Sequence, residues 1–349
     1  VSKFLFVVPR FHTNLFFATK ALVQAGHQVK VFAAKREPTE DYSFVTPQVV
    51  GRDSSPRDLR HDLKAFAPDL VILRTARPLS RWVEGAGRFG RLPMLRYDQK
   101  AMSELPAFRD VLERAVQGLP QWRVTPKPAR HGVASIDPRA HYLPWPVARD
   151  PEVPVRQRQP DAPLAVLCVG KLMQQRKGQH KLIAAMAAGL AEGRMTLTLV
   201  GSTLGSVRDA DPDHLDSLRR AAAASQGRIT LKENLDFGDM GSVYGQHDVC
   251  VLPAAREQLG TAPIEAMAYG CVPVIGGRCG SAGYLTDGVD GHVVSMDHPE
   301  VLTAVLDRLA KDPAQLSQMS AAARHTAETE LGPARFVQRM EQLVARPKG

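Results

Sequence analysis

Long apolar runs, metal-spaced cysteines and aromatic residues are all scarce in this chain of 349 residues. No stretch approaches the ~20 consecutive apolar residues of a membrane-spanning helix. The apolar start, residues 4–8, is too short for a signal peptide and runs straight into Pro9 and Arg10. A cytoplasmic location is therefore expected. The four cysteines (Cys168, Cys250, Cys271, Cys279) lack ligand spacing and read as reduced packing residues. Aromatic content is 6%, with no stacking aromatics interleaved among the basic residues, so nucleic-acid binding ranks last among the functions a basic chain suggests. There is no low-complexity tract, no internal repeat and no Asp-x-Asp motif, and neither a metal nor another cofactor is expected.

What is present is the composition of a soluble globular protein, 44% hydrophobic and 23% charged, long enough for two domains. The net charge of +9 is uneven: residues 1–160 hold 26 Lys and Arg against 15 acids, the remainder 19 against 21. Such asymmetry points to an anionic partner (a phospholipid surface, a phosphorylated acceptor or nucleic acid) or to arginine usage alone. Arg77, Arg81, Arg88 and Arg91 fall within an arc of ~80° if residues 78–90 are helical. Trp82 and Phe89 would lie near that basic face, which could rest on anionic lipid at the inner side of the membrane. Gly85, Gly87 and Gly90 favour a solvated loop instead.

Short apolar segments alternate with helical ones twice along the chain. Strands are expected at 3–8, 28–33, 69–73, 92–96 and 121–124, with helices at 14–25 and 57–66. The pattern restarts with strands at 164–169, 195–200, 229–231, 249–252 and 272–275. Helices are expected there at 178–191, 214–224, 240–246 and 263–269, followed by three closing helices at 301–309, 314–328 and 334–344. This is the signature of two parallel sheets, each covered on both faces. The expected organisation is an N-terminal Rossmann-like acceptor domain at 1–150, a proline-rich linker at 151–162, a donor domain at 163–331 and a C-terminal helix at 332–349 packing back towards the first domain. Ligands of such sheets bind at the carboxyl ends of the strands.

Two groups of residues sit at such ends. After the strand at 164–169 come Gly170 and Lys171, then Lys177 opening a helix; two cations beside a helix start can neutralise a diphosphate. Further on, Glu257 and Glu265 flank the turn Leu259, Gly260, Thr261, whose amides can meet an anion. A carboxylate on each side of an anion site suits a ligand that is part phosphate and part polyol.

Residues 164–294 resemble the donor-binding domain of retaining GT-B glycosyltransferases with an E-x7-E motif, the family 4 or group 1 type. The resemblance runs in order through VLCVGKLMQQRKG, LTLVG, ITLKENLDF, HDVCVLPAAREQLGTAPIEAMAYGCVPVI and LTDGVDGHVV. It implies that Lys171 and Lys177 bind the donor diphosphate, Lys171 standing where the family usually has Arg. It also implies that Glu257 sits by the donor sugar, that Glu265 accepts from the ribose hydroxyls, and that Leu259, Gly260 and Thr261 offer amides. Leu235 and Phe237, in the loop from Asn234, would border the nucleobase. The family's paired glycines after the first strand are replaced by residues 9–14, and an acidic position of the family is lost at residues 279–283. His12, just past the first strand, either orients an acceptor hydroxyl, acts as its base, or caps the next helix. Asp98 either faces the cleft, caps a helix or serves a turn. The implied function is metal-independent transfer of a sugar, with retention, from a nucleotide-diphosphate sugar to a hydroxyl of an unidentified acceptor, anionic or lipid-linked. The alternative is a catalytically inactive nucleotide-sugar-binding or scaffold protein of the same fold.

Overall fold

The computed structural model describes residues 1–345 except 12, 37–40, 52–53, 91, 118–120, 130–133, 160 and 205–208, and only the backbone of residues 13 and 88–90. By its internal contacts the chain divides into two compact units, Val1–Pro146 with Leu331–Gly349, and Val147–Glu330.

The first unit contains β1 (Lys3–Arg10), α1 (Thr13–Gln24), β2 (Gln28–Lys35), β3 (Gln48–Val49), α2 (Pro56–Phe66) and β4 (Leu70–Arg74). After these come α3 (Leu79–Gly90), β5 (Met94–Tyr97), α4 (Phe108–Val116), β6 (Arg123–Thr125) and β7 (Ala140–Tyr142). All its strands pair in parallel, in the order β3-β2-β1-β4-β5-β6-β7. β1 shows why: Phe4, Leu5, Phe6, Val7 and Val8 are all buried, as a strand covered on both faces must be.

The second unit contains β8 (Leu164–Val169), α5 (Gln179–Ala185), α6 (Ala187–Ala191), β9 (Met195–Gly201), α7 (Pro212–Ala224) and β10 (Ile229–Glu233). It continues with α8 (Met240–Gly245), β11 (Val249–Leu252), α9 (Ala262–Met267), β12 (Val272–Gly276), β13 (His292–Val294), α10 (Pro299–Lys311) and α11 (Pro313–Thr329). Its sheet, also parallel, runs β10-β9-β8-β11-β12-β13. The chain reverses its direction of growth between β8 and β11, the point at whose strand carboxyl ends open sheets of this kind bind ligands. The last helix, α12 (Pro333–Ala345), packs on α1 in the first unit, where Phe336 stacks against Trp145.

Several local expectations need correction. Residues 79–90 are helical despite their glycines, and the expected helix at 178–191 breaks into α5 and α6. Trp82 packs against the first unit's core instead of joining a basic face, while Arg77 and Arg81 are exposed. The side chain of Arg88 and all of Arg91 lie outside the described residues. Within the second unit, the proline-rich segment after Pro146 is held by Asp150 N–H donating to Tyr269 Oη at 3.0 Å and by Arg156 donating to Asp248 at 2.7 Å.

Candidate functional site

Three glycines bring the loops of the second sheet together. A Cβ on Gly201, at the end of β9, would lie 1.9 Å from the Gly170 carbonyl oxygen, so only glycine lets that strand abut the loop after β8. Gly178 has φ +80°, and a side chain there would meet the Pro253 carbonyl at 2.3 Å. This seats the start of α5 on the end of β11. Gly260 has φ +76°, with its Cβ direction 2.4 Å from Leu252 Cδ2 and 3.2 Å from Glu257 Cγ. Left-handed backbone at both Gly178 and Gly260 is what glycine supplies without strain.

The result joins residues far apart in sequence. The Lys177 stem passes over Gly170, and its Nζ donates to Glu257 Oε2. Arg176 Nη1 reaches the same oxygen at 3.2 Å, while its Nη2 donates to Gln174 Oε1 at 3.0 Å. The turn at residues 280–283 backs the Glu257 loop: Gly280 N–H donates to the Glu257 carbonyl at 3.0 Å and Ser281 N–H to that of Leu259 at 2.9 Å. Among the described residues, no group accepts the backbone N–H of Gly260 or Thr261. Two amide donors at this turn therefore remain for a ligand.

The two motif carboxylates experience opposite fields. Burial raises the pKa of Glu257, but the hydrogen bond and charge of Lys177, with Arg176 beside it, outweigh burial and hold it below the usual 4.5. Glu265, in the first turn of α9, is raised above 4.5 by burial, against hydrogen bonds from Thr261 and Tyr244. Tyr244 Oη donates to Glu265 Oε2 at 3.0 Å. The side chain of Tyr244 is buried and its own pKa pushed well up, so it stays a donor.

Of the residues expected at the site, the structure gathers Gly170, Lys177, Glu257 and Gly260, with Leu259 and Thr261 completing the turn. Lys171 lies on the same loop, its carbonyl accepting from Gln179 Nε2 at 3.2 Å and from Gln174 N–H at 3.3 Å. Leu235 follows β10, and Phe237 opens a short 3-10 turn after it. His12 lies outside the described residues. Asp98 is a turn and ion-pair residue: Oδ1 accepts from Arg123 Nη1 at 2.8 Å and from Lys100 N–H at 3.1 Å, and Oδ2 from Arg96 at 3.2 Å. Sequence reasoning passes over Arg176, although the Arg-Lys pair before Gly178 signals it, and over Tyr244 and Gln179, for which no spacing rule exists. All four cysteines are buried free thiols, with Cys168 pushed up to about 12 by burial. Among the described residues no three His, Cys, Asp or Glu cluster as metal ligands, and no helix is long and apolar enough to cross a membrane.

Known proteins share part of this sequence and the fold. Residues 163–312 match the model of the family described as glycosyl transferases group 1. The glycogen synthase of Pseudomonas syringae pv. tomato is 26% identical over 108 residues, 31% of this chain and 22% of that enzyme. The D-inositol 3-phosphate glycosyltransferase of Corynebacterium diphtheriae is 30% identical over 159 residues, 44% of this chain and 36% of that enzyme. The chain thus spans well under half the length of these curated relatives. In fold the likeness is wider: Anabaena Alr3699/HepE, solved in complex with UDP and glucose, superposes with a TM-score of 0.73 at 14% identity, covering 99% of this chain and 100% of that one. Residues 163–312 thus match the group 1 glycosyl transferase family, in a chain of GT-B fold with two parallel-sheet, Rossmann-like units.

Proposed function

We propose that this protein transfers a sugar from a nucleotide-diphosphate sugar to an acceptor hydroxyl, with retention at the anomeric carbon and without a metal ion. One observation carries the proposal: Lys177 and Arg176 converge on Glu257 beside a glycine turn with two unused amides. The barrier to transfer lies in breaking the anomeric C–O bond, as negative charge grows on the departing diphosphate. Arg176 and Lys177 against Glu257 leave a net positive charge, the sign that a departing diphosphate needs. Amides fixed by the Gly260 turn stabilise the same charge without reorganising. Glu257 keeps the cations in place before the donor arrives and then faces its sugar, while Glu265 takes the ribose. A neighbour of the same fold, Anabaena Alr3699/HepE, solved in complex with UDP-glucose, supports the donor class.

The acceptor side belongs to the first unit, whose 27 Lys and Arg against 14 Asp and Glu favour an anionic acceptor. A peripheral membrane contact has its own support. α4 has no buried residue, and its Phe108, Leu112 and Val116, at i, i+4 and i+8, are 80%, 52% and 78% exposed.

The first test is a thermal-shift screen with UDP-, GDP-, ADP- and TDP-glucose, since a bound donor raises apparent stability by mass action. Lys177→Ala should then weaken donor binding about 10–100-fold, the scale of a lost charge-assisted hydrogen bond, with the fold intact. Wild-type turnover in that variant would overturn the proposal. Donor binding without transfer to any acceptor would mark the inactive, binding-only alternative.

A further inference from the structure

We infer that Gln179 is a positioning residue for Lys171: its buried amide, wedged between the Lys171 carbonyl and the His214 ring, sets the peptide plane from which Lys171 meets the donor diphosphate. The inference rests on the proposal that Lys171 contacts that diphosphate.

α5 turns an apolar stripe to its sheet, with Leu182 buried, as is Met186 just beyond the helix. Gln179 occupies the first position of the same stripe, three residues before Leu182, and is 0% exposed. An apolar side chain would pack there with no partner needed, whereas a buried amide is tolerated only when both its ends are hydrogen-bonded. Both are. Nε2 donates to the Lys171 carbonyl at 3.2 Å, and Oε1 faces His214 Nε2 at 3.4 Å. With the amide so oriented, His214 carries its proton on Nε2 and donates.

The far end of this chain of bonds is itself held. Asp211 caps α7 by accepting from His214 N–H at 3.0 Å, and the His180 ring stands edge-on to the His214 ring at 5.3 Å. Asp211 N–H also donates to the Met173 carbonyl at 2.7 Å. The loop after β8 is thus tied to α7 twice, directly at Met173 and through Gln179 at Lys171. Gly178, locked against Pro253, leaves the start of α5 no freedom to take Gln179 elsewhere.

The test is calorimetric titration of the wild type with UDP, GDP, ADP and TDP, followed by the tightest of them on variants. Lys171→Ala and Gln179→Met should each weaken binding about tenfold, with a double variant no weaker than the worse single, because Gln179 acts only through Lys171. His214→Gln, which keeps a donor near Nε2, should bind as wild type, and His214→Phe should follow Gln179→Met. If Gln179→Met fails to fold, Gln179→Glu keeps the shape and the acceptor for His214 but sets a carboxylate against the Lys171 carbonyl, and should show the same loss. Losses that multiply in the double variant, or a Gln179 variant binding as wild type while Lys171→Ala does not, would overturn the positioning role. Undiminished binding by Lys171→Ala would instead remove the reading of Lys171 beneath it.

Discussion

At the scale of single residues, the motif's two carboxylates do different work because their surroundings differ. Glu257 is paired with Lys177 and Arg176, and its lowered pKa keeps it ionised throughout the neutral range. The stability it contributes is present above the usual 4.5 and lost as pH falls through its lower folded value. Glu265 has the opposite sign. Its pKa is raised by burial, so the stability it contributes is full below 4.5 and lost as pH rises through the folded value. Burial makes its charged form a net cost to the fold, which the proposed contact with the ribose would account for. Glu265→Gln should therefore raise the thermal midpoint at pH 7, since a Gln oxygen still accepts from Tyr244, yet weaken nucleoside-diphosphate binding about tenfold or more. The same variant should also bind with less dependence on pH than the wild type, because it removes an ionisable group from the site. Scanning calorimetry and titration at pH 5 and 7 check both halves; a midpoint that falls at pH 7 would show that Glu265 is structural.

At the scale of elements, the first sheet depends on a residue that no pattern in the sequence marks. Arg123 in β6 is 0% exposed and uses all its donors: Nε to Asp137 at 2.6 Å, Nη1 to Asp98 and the Lys100 carbonyl, Nη2 to the Ala101 and Glu104 carbonyls. It binds the loop after β5 to the segment before β7. Arg123→Met leaves the buried Asp137 without its cation and Asp98 with Arg96 alone, and should cost about 3–5 kcal/mol in urea unfolding, the scale of a broken buried ion pair. A cost below ~1 kcal/mol would mean that the loops hold themselves. Arg123 also shows what could be foreseen. Strands such as β1, β8, β11 and β12 are continuous apolar runs, and their alternation with helices made the two-sheet α/β architecture readable. The meeting of Lys177 with Glu257 was readable too, since both lie in loops that follow neighbouring strands of the second sheet. β3 and β7, two and three residues long, carry no periodicity to detect, and α3 hides its helix behind three glycines that tertiary packing overrides. Buried polar partners such as Gln179, Tyr244 and Arg123 are set by contacts between distant segments, which spacing along one chain does not encode.

At the scale of the whole molecule, charge is segregated: the first unit carries 27 Lys and Arg against 14 acids, the second 18 against 22. α4 adds an apolar face to the basic unit. On its helical wheel Val111, Ala115, Phe108, Leu112 and Val116 fill a continuous arc, yet the helix is anchored by a polar contact, Arg114 donating to Glu84 at 2.8 Å. A helix packed for its own stability would bury that arc. Inserting Phe108, Leu112 and Val116 into an acyl boundary would release ~1.5–3 kcal/mol for each side chain fully covered, and each nearby Lys or Arg adds ~1 kcal/mol against anionic lipid. Neither source alone gives firm binding, so the association should need both. The protein should sediment with vesicles containing phosphatidylglycerol, far less with pure phosphatidylcholine, and be released by 0.5 M salt. Phe108→Asp with Val116→Asp should lower vesicle affinity more than tenfold while nucleoside-diphosphate binding by the second unit stays unchanged. Equal sedimentation with neutral vesicles would leave the charge without a role, and unchanged sedimentation of the double variant would exclude α4 as the docking face.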